Sequence, residues 1–484
     1  MKVLIVSSEY SPVAKEGGLG DASAGLAPAL AALGCEVKVA IPGYGQVLEN
    51  FPQSVTIVDK VRVSMGAYNL FADLRNLAPF SGVDTYLVCN DSMFGRHGIY
   101  GDKNGLFGDN HKRFVFFSKS IPALCSATQY IPDVILGNDW QTGLIMALLD
   151  QGFMPRTAGV FIIHNIGYLG YVPPEDTPVL GLSNKYLTAD GLEFYGQISL
   201  LKAGLAFANR LVTVSPTYAR EIQTTEQGAG LDGLMRKRSQ DLTGILNGVD
   251  FSVWSPEHDK HLPASYNMDS MGGKAQCKQA LLNELALDST LLERPVAGMV
   301  TRLFSQKGIE LVINALPQII EMGIGFVLLG NGEAGYARDL WGLAQAYPGA
   351  FKFVEDFDEA LAHRIMAGAD ILCVPSLYEP CGLTQMYALK YGTIPVVRAT
   401  GGLADTVHDV DSLNGKANGF TFDAFHPGAL TYALKRARDY YQDQDAWKNL
   451  VAKAMDSARE YTWDKAAAQY LASFERAIEA RKFS

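Results

Sequence analysis

Short apolar runs recur through the first half of the chain and end in small or polar residues: Val3 to Val6, Val37 to Ile41, Tyr86 to Val88, Val134 to Leu136, Val160 to Ile163 and Leu211 to Val214. Runs of this length without polar interruption fit strands buried on both faces. Helical patterns lie between several of them, from Ala24 to Leu33, ended by Gly34, and from Phe114 to Leu124. Strand and helix in alternation predict a parallel sheet covered on both sides. Val55 to Val63 alternates instead, which predicts an added hairpin or meander interrupting the series.

The second half repeats this logic, with strands expected at Val296 to Val300, Phe326 to Leu329, Phe351 to Val354, Ile371 to Val374 and Ile394 to Val397. Ile309, Val312, Ile313, Leu316, Ile319 and Ile320 recur at helical spacing and predict one apolar stripe against a sheet. A last helical stripe, Trp463, Ala467, Tyr470, Leu471, Phe474 and Ile478, follows Thr462, a residue type suited to capping it. Two α/β units of similar build, joined near Ile245 to Asp250, are the expected organisation.

Composition narrows the function. The 484 residues are 48% hydrophobic and 19% charged, enough apolar surface for a large buried core. Lys and Arg number 41 against 51 Asp and Glu, a net charge of −10 that argues against general binding to nucleic acid or anionic membranes. Six scattered cysteines without CxxC spacing predict neither a zinc site nor a redox pair, and fit reduced thiols. No apolar stretch reaches membrane-spanning length and the first apolar run is too short for a signal peptide, so a cytoplasmic protein is expected. Glycine is abundant, 48 residues, and the sites it occupies carry most of the candidate chemistry.

In doubly wound sheets ligands bind beyond the carboxyl ends of strands. After the first strand comes Lys15-Glu16-Gly17-Gly18-Leu19-Gly20-Asp21, where glycines open backbone amides to an anion and Lys15 adds a charge, although a plain tight turn reads the same way. Gly330, Gly332 and Gly335 follow the strand ending at Leu329, and Glu355 stands 20 residues beyond Gly335. That spacing fits a nucleotide whose ribose meets Glu355 or Asp356, and equally a βαβ unit that needs glycine for packing. Arg302 and Lys307 follow another strand, as cations suited to a diphosphate. The densest stretch runs from Glu379 through Cys381, Gly382, Leu383 and Thr384 to Gln385, setting a carboxylate for sugar hydroxyls beside a helix start whose amides suit phosphate. In the first half His164 and Asn165 end one strand and Asn138 and Asp139 another, groups suited to hydroxyl recognition.

Taken together, KEGGLGD (15 to 21), GLEFYGQISLLKAGL (191 to 205), TVSPTYAREI (213 to 222), LNGVD (246 to 250), EPCGLTQMYALKYGT (379 to 393) and TGGLADTV (400 to 407) resemble the starch and glycogen synthase family of retaining glycosyltransferases. The resemblance implies an α/β glycosyltransferase B fold, two Rossmann-like domains facing across a cleft. Residues 1 to 245, completed by a helix at 460 to 484, would form the glucan-acceptor domain, and residues 246 to 459 the nucleotide-sugar domain. It implies ADP-glucose and an α-1,4-glucan such as glycogen as partners, and no metal or other cofactor.

By motif it assigns Glu379, His164, Arg302 and Lys307 to catalysis. Lys15 and Asp21 would contact the nucleotide sugar, Asp139, Asn165 and Asn247 the sugar pocket. Cys381 and Gly382 would meet glucose hydroxyls through their backbone, Leu383 and Thr384 would offer amides to phosphate, and Phe357 would stack near the adenine. Retention leaves two routes open, a carboxylate nucleophile or a front-face reaction in which the departing ADP oxygen takes the acceptor proton. Glu16 and Gly20 depart from the family's usual K-T-G-G-L-A-D form, and Glu16 adds a negative charge beside an anionic substrate.

Overall fold

The computed structural model describes every residue except 81, 104, 413, 414, 483 and 484. The chain divides into two compact units, one of Met1–Gly248 with Trp463–Ser484, the other of Val249–Thr462. The last two residues of the expected tail helix lie outside the described residues, and the helix runs over Trp463–Lys482.

Among the described residues the first unit carries a nine-stranded sheet. Its order is Leu242–Gly244, Arg210–Thr213, Ala158–Ile163, Val134–Asn138, Lys2–Val6, Glu36–Pro42, Val83–Cys89, Tyr68–Phe80 and Val55–Met65. The first seven are parallel, and the last two add the antiparallel hairpin that the alternation at Val55 to Val63 predicts. Ala158–Ile163 is buried along its whole length, as an uninterrupted apolar run requires when helices cover both faces.

In the second unit all six described strands are parallel, in the order Phe351–Val354, Gly325–Leu329, Val296–Val300, Ile371–Val374, Ile394–Arg398 and Phe420–Phe422. On one face Leu281, Leu282 and Ile365 pack with Val296 and Val327 of the strands. The helix Ile309–Glu321 turns its apolar stripe differently from expectation. Leu311 and Ala315 are buried with Ile309, Val312, Leu316 and Ile319, while Ile313 and Ile320 lie at the margin. The stripe is centred nearer Leu311 because a helix set over a twisted sheet buries a broad face rather than a narrow seam.

Each sheet reverses its winding once. In the first unit successive strands run one way from Lys2–Val6 and the other way from Val134–Asn138, which lies beside it. In the second the corresponding neighbours are Val296–Val300 and Ile371–Val374. Crevices beyond the carboxyl ends of such strand pairs are where open α/β sheets bind ligands. They place Asn138, Asp139 and Ser7 at one end, and Arg302 and the loop from Pro375 at the other.

Helix Trp463–Lys482 returns to the first unit. A side chain at Gly25 would put its Cβ 2.0 Å from Trp463 Nε1, so the glycine is what lets the indole lie against the helix Gly18–Ala32. Ala467, Tyr470 and Phe474 of the tail are buried with it.

Candidate active site

In the first unit the chain turns sharply after Asn138. Asp139 adopts a left-handed backbone with φ 54°, a conformation that costs a non-glycine residue about 1 kcal/mol but that Asp tolerates. The turn aims its carboxylate at the next strand end, where Oδ1 accepts the amides of His164 at 2.7 Å and Asn165 at 3.4 Å. Burial pushes the Asp139 carboxyl up to about 7, with a smaller push from the charge of Glu9, against the pull of those two amides.

His164 Nε2 lies 2.9 Å from Asn138 Oδ1, and Asn138 Nδ2 donates to the Val6 carbonyl at 3.0 Å. Asn138 Oδ1 is therefore the acceptor and His164 donates from Nε2, which leaves the lone pair on Nδ1. Burial lowers the imidazole to about 4, so it is neutral near pH 7. Asn247 lines a small pocket with His164, Asn138, Ser23 and Trp463, and its buried Oδ1 has no hydrogen-bond partner among the described residues.

The glycine loop is fixed from below by Glu9. This residue is only 3% exposed. Its Oε2 accepts the amides of Glu16 and Gly17, both at 2.8 Å, and its Oε1 accepts the Tyr100 hydroxyl at 2.7 Å. Bonds to a charged acceptor of this kind contribute about 1.5 to 3 kcal/mol each. Lys15 and Asp21 pair with each other at 2.8 Å and are both partly exposed.

In the second unit the loop after Ile371–Val374 gathers a second cluster. Glu379 is 7% exposed. Its Oε2 accepts Lys307 Nζ at 2.7 Å and the Ser376 hydroxyl at 2.9 Å. Cys381 is buried, and Gly382 has φ 71°, a left-handed value that a side chain would strain. The buried amide of Gln385 donates to the carbonyls of both, at 3.1 and 3.0 Å. Helix Thr384–Lys390 begins here, with Leu383 as its N-cap residue and no side-chain cap. Thr384 is the first residue of the helix. First-turn amides have no carbonyl of their own helix to bond.

Other candidates stand apart from these clusters. Arg302 is exposed, with its guanidinium 5.4 Å from the Phe304 ring centre, and takes no part in the Lys307–Glu379 pair. Phe357, 75% exposed, follows the outermost strand, Phe351–Val354. Glu355 accepts the Trp341 indole N–H at 2.8 Å, so its carboxylate already has a partner in the fold. Gly330 and Gly332 serve packing: a Cβ at either would meet the carbonyl of Thr301 at 1.9 Å or of Leu303 at 2.6 Å. Among the described residues no cluster of three or more His, Cys, Asp or Glu is arranged to hold a metal ion, and no helix is long and apolar enough to cross a membrane.

Residues 2–237 match the family model of the starch synthase catalytic domain, and residues 288–453 that of glycosyl transferases group 1. The chain is 72% identical over 482 residues to a glycogen synthase of Desulfatibacillum aliphaticivorans, covering 100% of both sequences. It is 44% identical over 487 residues to one of Anaeromyxobacter dehalogenans, covering 99% of this chain and 100% of the other. The chain belongs to the starch and glycogen synthase family.

A solved member, the catalytic domain of starch synthase IV from Arabidopsis thaliana bound to ADP and acarbose, matches with a TM-score of 0.90 at 32% identity, covering 99% of each chain. A sucrose-phosphate synthase of Thermosynechococcus elongatus, with a TM-score of 0.63 at 18% identity, shares the fold. The family's glycosyltransferase B fold is thus the fold of this chain. The structure also brings forward residues that motif reading passed over. Glu9, Ser376 and the buried amide of Gln385 hold the family's motif loops in place, and of the three only Gln385 lies within a family motif.

Proposed function

We propose that the chain transfers the glucosyl group of ADP-glucose to the non-reducing end of an α-1,4-glucan such as glycogen, with retention of configuration and release of ADP. The observation that carries this reading is the Lys307–Glu379–Ser376 network at the winding reversal of the second sheet, in a chain that superposes on a family member bound to ADP. That ADP favours adenosine over uridine in the donor.

In this reading residues 246–459 hold the donor, and residues 1–245 with the tail helix serve the glucan. Cleavage of the bond from the anomeric carbon to the β-phosphate oxygen leaves negative charge on ADP and positive charge on the sugar. Lys307, Arg302 and the amides at Leu383 and Thr384 meet the first. Lys15, held by Asp21, adds a further cation for the donor. Glu379, with the backbone of Cys381 and Gly382, takes the glucose hydroxyls, and Phe357 lies against the adenine. The neutral His164, Asp139, Asn165 and the unpaired Asn247 carbonyl line the sugar side.

Glu379 is engaged by a cation and a hydroxyl, and Asp139 by two amides, which favours the front-face route over a carboxylate nucleophile. The glucan O4 then attacks from the face ADP leaves, and its proton passes to the departing phosphate oxygen. A cytoplasmic setting goes with this reading, supported by six buried cysteines present as thiols.

The test is release of the nucleoside diphosphate, ADP from ADP-glucose and UDP from UDP-glucose, side by side, with glycogen as acceptor. Lys307→Ala and Glu379→Gln are each expected to lower turnover about 10²- to 10³-fold with the fold intact by circular dichroism. Full activity in both variants would remove the assignment.

A further inference from the structure

An exposed aromatic group in the first unit has no role in the chemistry above. Glu193–Phe194 and Gln197–Ser199 form a hairpin, with Phe194 paired to Gln197, so its loop is Tyr195-Gly196 alone. Both loop residues are left-handed, at φ 51° and 82°. Such two-residue turns strongly favour Asn, Asp or Gly at the first position, and a tyrosine there is strained. The strain has no return in burial: Tyr195 is 82% exposed, with its ring propped edge-on against Phe194 at 4.7 Å between centroids. On the other side of Phe194 stands Tyr171, 42% exposed, its ring stacked at 6.4 Å.

The group is continuous with the candidate sugar pocket. The loop from Asn165 to Tyr171 links them and carries Tyr168, 54% exposed, whose amide donates to the Asn165 carbonyl. Ser199 Oγ fixes this loop by donating to the Leu169 carbonyl at 2.7 Å, and Gly170 lets it rest on Trp140, next to Asp139. A strained, exposed tyrosine stands here on a rigid support, and Tyr171, across Phe194 from it in the ring contacts, is joined by one short loop to His164 and Asn165, so the group is placed for contact with a ligand rather than for stability.

We propose that Tyr195, Tyr171 and Tyr168 form a landing for the α-glucan chain outside the reacting sugars. It rests on the acceptor reading above. Each tyrosine offers an apolar face for the C–H side of a glucose ring and a hydroxyl for its polar edge, and the uncharged rings with Gln197 beside them suit a neutral polymer.

The experiment measures retardation of the intact protein in native gels containing glycogen, without donor, for Tyr195→Asn, Tyr195→Phe and Tyr171→Ala. Asparagine suits the turn, so the first variant removes the ring without loss of thermal stability. It is expected to weaken the glycogen dissociation constant about tenfold, in the range of one lost aromatic contact, while Tyr195→Phe keeps most of the retardation. Unchanged retardation in both Tyr195→Asn and Tyr171→Ala overturns the proposal, and is the result a protein-docking surface would give. ADP release by the wild-type chain is measured alongside. Retardation lost in the variants supports the landing whether or not ADP is released, and absence of ADP release counts only against the catalytic reading.

Discussion

Asp139→Asn separates the charge of one buried carboxyl from its shape. Asparagine tolerates the left-handed φ of 54° as aspartate does, and its Oδ1 can keep the amides of His164 and Asn165. Only the charge and its proton are lost. In the fold the Asp139 carboxyl is pushed from 3.8 up to about 7. Between those values the folded chain therefore holds a proton that the unfolded chain has released, and stability falls as pH rises through the window. At about 1.4 kcal/mol per unit the whole loss is about 4 kcal/mol, complete above pH 7.

His164 acts in the opposite sense. Its folded value of about 4 lies below the ordinary 6.5, so its contribution is present above pH 6.5 and is lost as pH falls towards 4. Between pH 4 and 6.5 the two slopes oppose each other, and wild type alone would show little. The difference between wild type and Asp139→Asn cancels the His164 contribution to first order. Calorimetric unfolding of both proteins at half-unit steps from pH 5 to 8 should show the variant gaining on wild type steadily until about pH 7 and then levelling. A difference independent of pH would mean that Asp139 is not held protonated by burial, and the reasoning fails.

Two further perturbations test how the motif loops are held. Glu9→Ala removes the acceptor shared by the Glu16 and Gly17 amides, so the KM for ADP-glucose should rise about tenfold or more, with a smaller change in kcat; an unchanged KM would show that Glu9 does not order the loop. Gly401→Ala would place a Cβ 1.9 Å from the Glu379 carbonyl at a φ of 47°, and should cost as much turnover as loss of the Glu379 side chain. Gly342→Ala, in open space on the helix Ala334–Ala346, should instead raise stability by about 1 kcal/mol, so equal effects of the two in thermal melts and ADP-release assays would refute the packing argument.

The strands were legible because burial on both faces writes an unbroken apolar run, and Phe351–Val354 and Ile371–Val374 begin and end where those runs do. Neighbour order was not legible, since each run records its own burial and nothing of its partners. The reversals of winding that locate both clusters emerge only from pairing. The same limit applied to the sites. Lys307 and Glu379 are 72 positions apart, and no local pattern joins them. Glu9 reads as an ordinary polar strand end until Tyr100 and the glycine loop close on it. The hairpin at Tyr195 was hidden in a motif whose family signal masked the oddity of tyrosine before glycine in a tight turn.

The loops around Glu379 also explain why glycine concentrates there. A Cβ at Gly402 would lie 2.0 Å from the Cys381 carbonyl, and one at Gly382 would lie 2.4 Å from Gln385 Oε1. With Gly401 against the Glu379 carbonyl, three glycines let the 376–382 loop be gripped by backbone on one side and by the Gln385 amide on the other. Backbone contacts of this kind leave no rotamers to reorder when charge develops on a ligand. In the proposed transfer, a Lys307–Glu379 pair carried beside so fixed a loop would meet the separating charge with little reorganisation of the backbone, the kind of electrostatic preorganisation from which active sites gain rate. Gly401 and Gly402 thus serve the proposed transfer through geometry, by fixing the loop that carries Glu379.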